Sequence, residues 1–149
     1  MSLAERFWDL LGNWTGTEEQ AASPWAPAAR TRAALTFKLD LAGTAVVQDY
    51  RQVRDDGGEL LAHGVFVAAE DDPGTELWWL FDSAGHAPEP ARGAWTGRTL
   101  SLTRTTPRGT GWHRFELSAD RLTYAVDVAV GDQEPTPILR GRYERVSGH

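Results

Sequence analysis

The side chains best equipped for chemistry are a histidine inside an apolar run, a carboxylate, a hydroxyl and an imidazole close together at a turn, and a late series of arginines. His63 stands within Leu61-Ala62-His63-Gly64-Val65-Phe66-Val67. Strand alternation places it on one face with Leu61, Val65 and Val67. There it would serve as a hydrogen-bonding group or general base at a pocket wall, because imidazole titrates near neutrality; the plainer alternative is a hydrogen-bonded core histidine. Asp82, Ser83 and His86 follow the aromatic run that ends at Phe81. A carboxylate that orients an imidazole can activate a hydroxyl. The same residues also make ordinary turns, because Asp and Ser bond their own backbone, and no Gly-x-Ser-x-Gly elbow is present. His63, Asp82, His86 and His113 would be the metal set, yet no two of the histidines have helical i, i+4 spacing and no His-x-His occurs, so no metal site is expected.

Other residues are suited to holding a ligand rather than changing it. Gln48, Tyr50 and Gln52 share one face of their run, and Asp49 and Arg51 the other. If the first face points inward it offers a hydroxyl and amides; if the second does, an Asp49–Arg51 pair must be satisfied internally. Trp78 and Trp79 point to opposite faces, so one of them faces in; Trp79, with Leu77 and Phe81, is the candidate to stack on a flat ligand. Arg104, Arg114, Arg140 and Arg142 come late in the chain. Arg114 and Arg140 are candidates for bidentate pairing with a ligand carboxylate, the alternative being outward, solvated arginines.

These groups need elements to position them. Ser2-Leu3-Ala4-Glu5 has capping-box spacing, and Leu3, Phe7, Leu10 and Leu11 form one helical stripe, so a helix is expected over about 3–11, with Gly12 as its left-handed stop. Alternating runs follow over about Asn13–Glu19, Arg30–Asp40, Thr44–Arg54, Glu59–Glu70, Thr75–Phe81, Arg92–Trp95, Thr99–Arg104, Gly111–Ser118, Arg121–Val130 and Pro137–Val146. They are separated by Gly, Pro and Asp turns such as Asp55-Asp56-Gly57-Gly58 and Asp71-Asp72-Pro73-Gly74. Many even strands in a small chain imply an all-β antiparallel up-and-down barrel, about 13–146, with one short N-terminal helix. Closure hides strand edges and encloses a space.

Composition bounds the rest. The 149 residues carry 41% hydrophobic and 24% charged side chains, ordinary for one globular domain. A net charge of −6 argues against non-specific nucleic-acid binding. The chain has no Cys, which excludes disulfides, thiolate nucleophiles and Cys-bound zinc. No apolar stretch is long enough for a membrane span. No signal peptide is expected, so a cytoplasmic location follows by default. The compositional outlier is seven Trp, a residue that lines cores and ligand cavities alike.

At the helix–strand junction, Gly12-Asn13-Trp14-Thr15-Gly16 resembles the opening strand of the calycin superfamily of lipocalins, fatty-acid-binding proteins and nitrobindins. Val47-Gln48-Asp49-Tyr50, His63-Gly64-Val65-Phe66, Trp79-Leu80-Phe81-Asp82-Ser83 and Gly93-Ala94-Trp95-Thr96-Gly97 look like a bacterial family of calycin-like domains of unknown function. The resemblance covers nearly the whole chain. It implies the barrel, with Trp14 closing one end, and lends no activity. Nitrobindin-like proteins bind haem through a histidine near the barrel's end; here their third motif glycine is replaced by Glu18, and His113 is the sole candidate ligand in the last strands.

The sequence thus reads as a barrel binding a small apolar or amphipathic molecule in its interior, with no cofactor required and Trp14, Gln48, Tyr50, His63, Trp79, Arg114 and Arg140 as candidate ligand contacts. The alternatives are a small enzyme using His63, Asp82 or His86, and a haem protein of nitrobindin type. The oligomeric state is left open by the sequence, a homodimer included.

Overall fold

The computed structural model describes residues 1–22, 27–85 and 88–146. It opens with α1 (Leu3–Phe7) and a 3-10 turn over Trp8–Leu10. Ser2 caps α1: its Oγ accepts from the Glu5 amide at 3.1 Å and the Glu5 carboxylate accepts from the Ser2 amide at 3.3 Å. The helix is shorter than the apolar stripe implies. Leu11 is already extended, at φ −60° and ψ 142°, because the chain must turn there to enter the sheet. Gly12 has a positive φ of 124° but is the first residue of β1, not a helix cap.

Ten strands follow: β1 (Gly12–Gln20), β2 (Ala29–Asp40), β3 (Ala45–Arg54), β4 (Glu59–Ala68), β5 (Thr75–Asp82), β6 (Ala91–Thr96), β7 (Thr99–Thr106), β8 (Gly109–Ser118), β9 (Arg121–Ala129) and β10 (Thr136–Arg145). Each pairs antiparallel with its neighbours in sequence, and β10 returns to β1 to close the barrel. The expected all-β barrel with one short N-terminal helix is what forms. Among the described residues no helix is long and apolar enough to cross a membrane.

The two ends of the barrel differ. Helix α1 and the 3-10 turn lie over one end and bury Leu3, Phe7 and Leu10. The Phe7 ring centroid is 5.1 Å from that of Phe66 and 5.5 Å from that of Trp95. Each fully buried aliphatic or aromatic side chain contributes about 1.5–3 kcal/mol, enough to hold a helix too short to stand alone. A bidentate ion pair fastens it: Arg6 Nε and Nη2 donate to the two carboxylate oxygens of buried Glu76 on β5, each at 2.7 Å. Trp14 fills the same end. It is wholly buried, donates to the Leu10 carbonyl at 2.9 Å, and lies 4.3 Å beneath the Arg145 guanidinium. Phe37, Phe66, Trp78, Leu100, Leu102, Phe115 and Leu122 make this half of the barrel solid.

Among the described residues the opposite end has no such plug. The wall is also thinnest there: β5 and β6 pair only from Thr75↔Ala94 to Trp78↔Ala91. Beyond Trp78 the two strands part, leaving the ends of β5 and β7 without a ladder between them.

Candidate ligand-binding site

The register fixes which faces look inward. Gln48, Tyr50 and Gln52 of β3 point into the barrel, and Asp49 and Arg51 point out. On β4 the inner residues are Leu60, Ala62, Gly64 and Phe66, and on β5 they are Trp78, Leu80 and Asp82. Gly64 is essential to this layer. A Cβ there would lie 2.4 Å from Gln48 Oε1 and 2.7 Å from Trp78 Nε1. Without one, the Trp78 indole donates to Gln48 Oε1 at 3.1 Å across the β4 backbone. Phe66 stacks on the Trp78 ring at 5.3 Å and 4°.

A buried polar cluster forms one side of the interior. Glu18 on β1 is wholly buried. Its carboxylate accepts from the Tyr50 and Tyr143 hydroxyls, and from Gln52 Nε2 at 2.9 Å. Burial, and then the Glu18 charge, push both tyrosines well above the ordinary phenol range, so they stay protonated donors. Tyr143 reaches Glu18 by lying over Gly141, where a Cβ would approach its hydroxyl to 2.1 Å.

A second cluster faces it. His113 on β8 points inward, its Nδ1 2.7 Å from the Tyr124 hydroxyl of β9. Its ring meets Trp78 edge-on at 5.1 Å. Burial, helped by the Arg104 charge, holds the His113 pKa down to about 3, so the imidazole is neutral at physiological pH. Arg104 on β7 sits 5.2 Å above the Trp78 ring and donates from Nε to the Glu89 carbonyl at 2.7 Å.

Between these clusters lies a cavity of about 210 Å3 that opens at the end away from α1. Leu35, Leu60, Ala62, Leu80, Val126 and Leu139 give it apolar walls, while Gln48, Tyr50, Gln52 and Tyr124, with Asp82 and Arg54, supply polar and charged groups. An adjoining hollow of about 500 Å3 shares Val126 and Ile138 with it and is bordered by Arg104 and His113. Apolar walls with a few convergent polar groups are the usual make-up of a small-molecule site.

Of the candidates read from the sequence, Gln48 and Tyr50 line this cavity. Trp14 is inward but belongs to the plugged end. His63 is on the outer face, a correction to the inward placement: its side chain is 52% exposed and its Nδ1 is 2.8 Å from Asp49 Oδ1. Trp79 likewise faces outward, opposite Val65, and Trp78 takes the inner position. Arg114 is exposed on the outside of β8. Arg140 is outside too, donating from Nη2 to Asp127 at 2.7 Å. The reason is common to all four: their inner-face neighbours, Ala62 and Gly64, Trp78, Phe115, and Gly141, are the residues the interior can pack.

Of the alternative His63, Asp82 and His86 grouping, the described members His63 and Asp82 stand on opposite faces of the barrel wall. Asp82 is on the inner face, opposite Ala62, and His63 on the outer, opposite Phe81; His86 lies outside the described residues. Of the residues weighed as metal ligands, His113 is in the interior and His63 on the outside; among the described residues no group of His, Cys, Asp and Glu is placed to hold an ion. His113, the residue weighed as a haem ligand, packs edge-on against Trp78 at 5.1 Å and stacks on Tyr124 at 6.0 Å on one side, and borders the hollow of about 500 Å3 on the other.

The polar interior residues that sequence reasoning passed over are Tyr124 and Tyr143. Glu18 was visible only as a departure from a relative's motif.

Two solved structures share this architecture. Rv2717c from M. tuberculosis superposes with a TM-score of 0.74 at 17% identity, covering 97% of this chain and 99% of that one. The S-type phycobiliprotein lyase CPES from Guillardia theta gives 0.73 at 11% identity, covering 100% of this chain and 95% of the other. The barrel is consistent with a calycin-like fold. No family model and no curated protein matches the sequence, so the likeness is one of architecture alone.

Proposed function

We propose that the protein is a non-catalytic binder that takes a small apolar or amphipathic molecule into the open half of its barrel. The observation that carries this reading is the asymmetry of the interior. One half is packed solid beneath α1, and the other holds a cavity of about 210 Å3 with aliphatic walls and the Gln48, Tyr50, Gln52 and Tyr124 side chains exposed to it. A barrel built only as a rigid body has no reason to leave one end hollow, since close packing is worth several kcal/mol.

A binding role is favoured over catalysis by what the cavity lacks. His113 is neutral and tied to Tyr124, and the three donors around Glu18 bond its carboxylate on the cavity's margin. Among the described residues neither is hydrogen-bonded to a serine, threonine or cysteine side chain, the relationship that acyl transfer of the serine-hydrolase kind requires. That one structural neighbour is named as a phycobiliprotein lyase indicates that barrels of this shape are put to use on other molecules; it does not specify one here.

Native mass spectrometry of protein purified from its own host tests the reading. The expected result is a mass increment from a small lipophilic molecule that is lost on denaturation. A bare polypeptide mass, together with no thermal stabilisation by any apolar compound in a screened set, would contradict it.

A further inference from the structure

Two glutamines on the inner face of β3 are tied down by one half of their amide and bond nothing with the other. Gln48 and Gln52 are 3% and 2% exposed, and both line the cavity. The Trp78 indole is a donor only, and it donates to Gln48 Oε1 at 3.1 Å. That bond turns the Gln48 amide so that its Nε2, with two N–H groups, has no hydrogen-bond partner among the described residues. Gln52 is turned the other way. Its Nε2 donates to the Glu18 carboxylate at 2.9 Å and to the Tyr50 hydroxyl at 3.0 Å, which uses both of its N–H groups. Its Oε1 is buried with no partner among the described residues.

Neither amide can flip to mend this. Turning Gln48 would set its N–H groups against the Trp78 N–H, and turning Gln52 would set its carbonyl against the Glu18 carboxylate. A buried polar group left unpaired is costly. The cavity therefore presents one fixed donor and one fixed acceptor, with Tyr50 between them on the strand. Its own charges balance, since Asp82 and Arg54 line it with one of each sign. The Asp82 carboxylate already accepts from the Ala84 amide at 3.0 Å, and the Glu18 oxygens are taken by Tyr50, Tyr143 and Gln52. Arg104 borders the adjoining hollow instead.

Building on the binding role proposed above, we propose that the ligand is an uncharged carboxamide on an apolar body, whose N–H donates to Gln52 Oε1 and whose carbonyl accepts from Gln48 Nε2, while its body lies along Leu60, Leu80 and Val126. Each half of the ligand amide meets the half that a glutamine leaves unpaired. The two glutamines start about 13 Å apart along the strand. Two hydrogen bonds of about 2.9 Å and the width of an amide group take up much of that distance, and Gln52 leans toward Gln48 to reach the Tyr50 hydroxyl. An ester has no proton for Gln52. A carboxylate lacks the same proton, an ammonium has no acceptor for Gln48, and each would carry a charge out of water.

The test uses decanamide, methyl decanoate, decanoate and decylammonium as probes, with intrinsic Trp emission as the readout, on wild type and Gln52→Met. Wild type should bind decanamide about tenfold more tightly than methyl decanoate, the worth of a hydrogen bond to an otherwise unpaired buried acceptor. Decanoate and decylammonium should each bind at least about tenfold more weakly than decanamide. Gln52→Met should erase the advantage of decanamide over methyl decanoate and keep methyl decanoate affinity within about twofold, since the apolar walls and Gln48 are untouched. The wild-type comparison decides the matter by itself if Gln52→Met does not fold. Equal wild-type affinity for decanamide and methyl decanoate would overturn the assignment and leave ordered water to complete both amides. So would a preference for either ion, or a decanamide advantage that survives Gln52→Met. Those outcomes leave the binding role standing, whereas no saturable response to any probe removes the binding role and this inference together.

Discussion

Trp78 and Gln48 are joined by a 3.1 Å hydrogen bond that passes through the space left by Gly64. Three strands meet in that contact: Gln48 on β3, Gly64 on β4 and Trp78 on β5. It fixes which of two adjacent tryptophans faces the cavity. Gly64→Ala should therefore be destabilising by about 1–3 kcal/mol, the usual range for overpacking a filled core. Urea unfolding measures the loss, and a shift in Trp emission should accompany it as the indole is displaced. A variant as stable as wild type with unchanged emission would show that the layer is loose.

Glu18 should tolerate one substitution far better than another. Removing the carboxylate in Glu18→Ala strands three buried donors, from Tyr50, Tyr143 and Gln52, and should cost about 3 kcal/mol or more. Glu18→Gln keeps one acceptor oxygen, and the tyrosine hydroxyls can turn to accept from the new amide, so about half that loss is expected. Chemical denaturation of both variants distinguishes this account from one in which Glu18 is merely a spacer, where the two would behave alike.

His113 makes stability depend on pH. Its folded pKa is depressed to about 3 from an ordinary value of 6.5. The unfolded chain therefore takes up a proton below about pH 6.5 that the folded chain refuses. The stabilisation is complete above that point and is lost as pH falls toward 3, at up to about 1.4 kcal/mol per pH unit. The groups facing the ring are Arg104 from β7, Tyr124 from β9 and Trp78 from β5, and none is an acid that would reverse the sign. Between pH 7 and pH 4.5 wild type should lose about 2 kcal/mol more than His113→Gln. Equal losses in the two proteins would place the imidazole in solvent.

The Arg6–Glu76 pair should be costly to break and cheap to replace. Arg6→Ala leaves a fully buried carboxylate without its partner, for an expected loss of about 3–5 kcal/mol. The double variant Arg6→Met with Glu76→Leu should recover most of it. If Arg6→Ala is nearly neutral, α1 is not held to the barrel by this contact.

The barrel was legible in the sequence because turn chemistry and alternation are local signals, and the strand limits fell close to those observed. The faces were harder. On β4 both faces are apolar: the outer one carries Leu61, Val65 and Val67 beside His63, and the inner one Leu60, Ala62 and Phe66 beside Gly64. Alternation of that kind has no polar side to mark solvent. The useful cue was Gly64 itself, since a glycine within a strand signals a close approach from another chain segment. Arg114 and Arg140 show the converse case. They alternate with His113 and Phe115, and with Gly141 and Tyr143, a pattern that assigns the arginines to solvent. Arg104 could not be separated from them by type, because its distinguishing feature is the missing ladder between β5 and β6, which is a tertiary fact.

The most direct test of ligand binding inside the barrel compares two neighbours in the chain that sit on opposite sides of its wall. Ala62 lines the cavity, and His63 is on the outer surface beside Asp49. Decanol titrations followed by Trp emission should be saturable in wild type, abolished or weakened at least about tenfold in Ala62→Phe, which fills the cavity, and unchanged in His63→Ala. Loss of binding in His63→Ala with Ala62→Phe unaffected would contradict the account and move the site to the outside of the barrel.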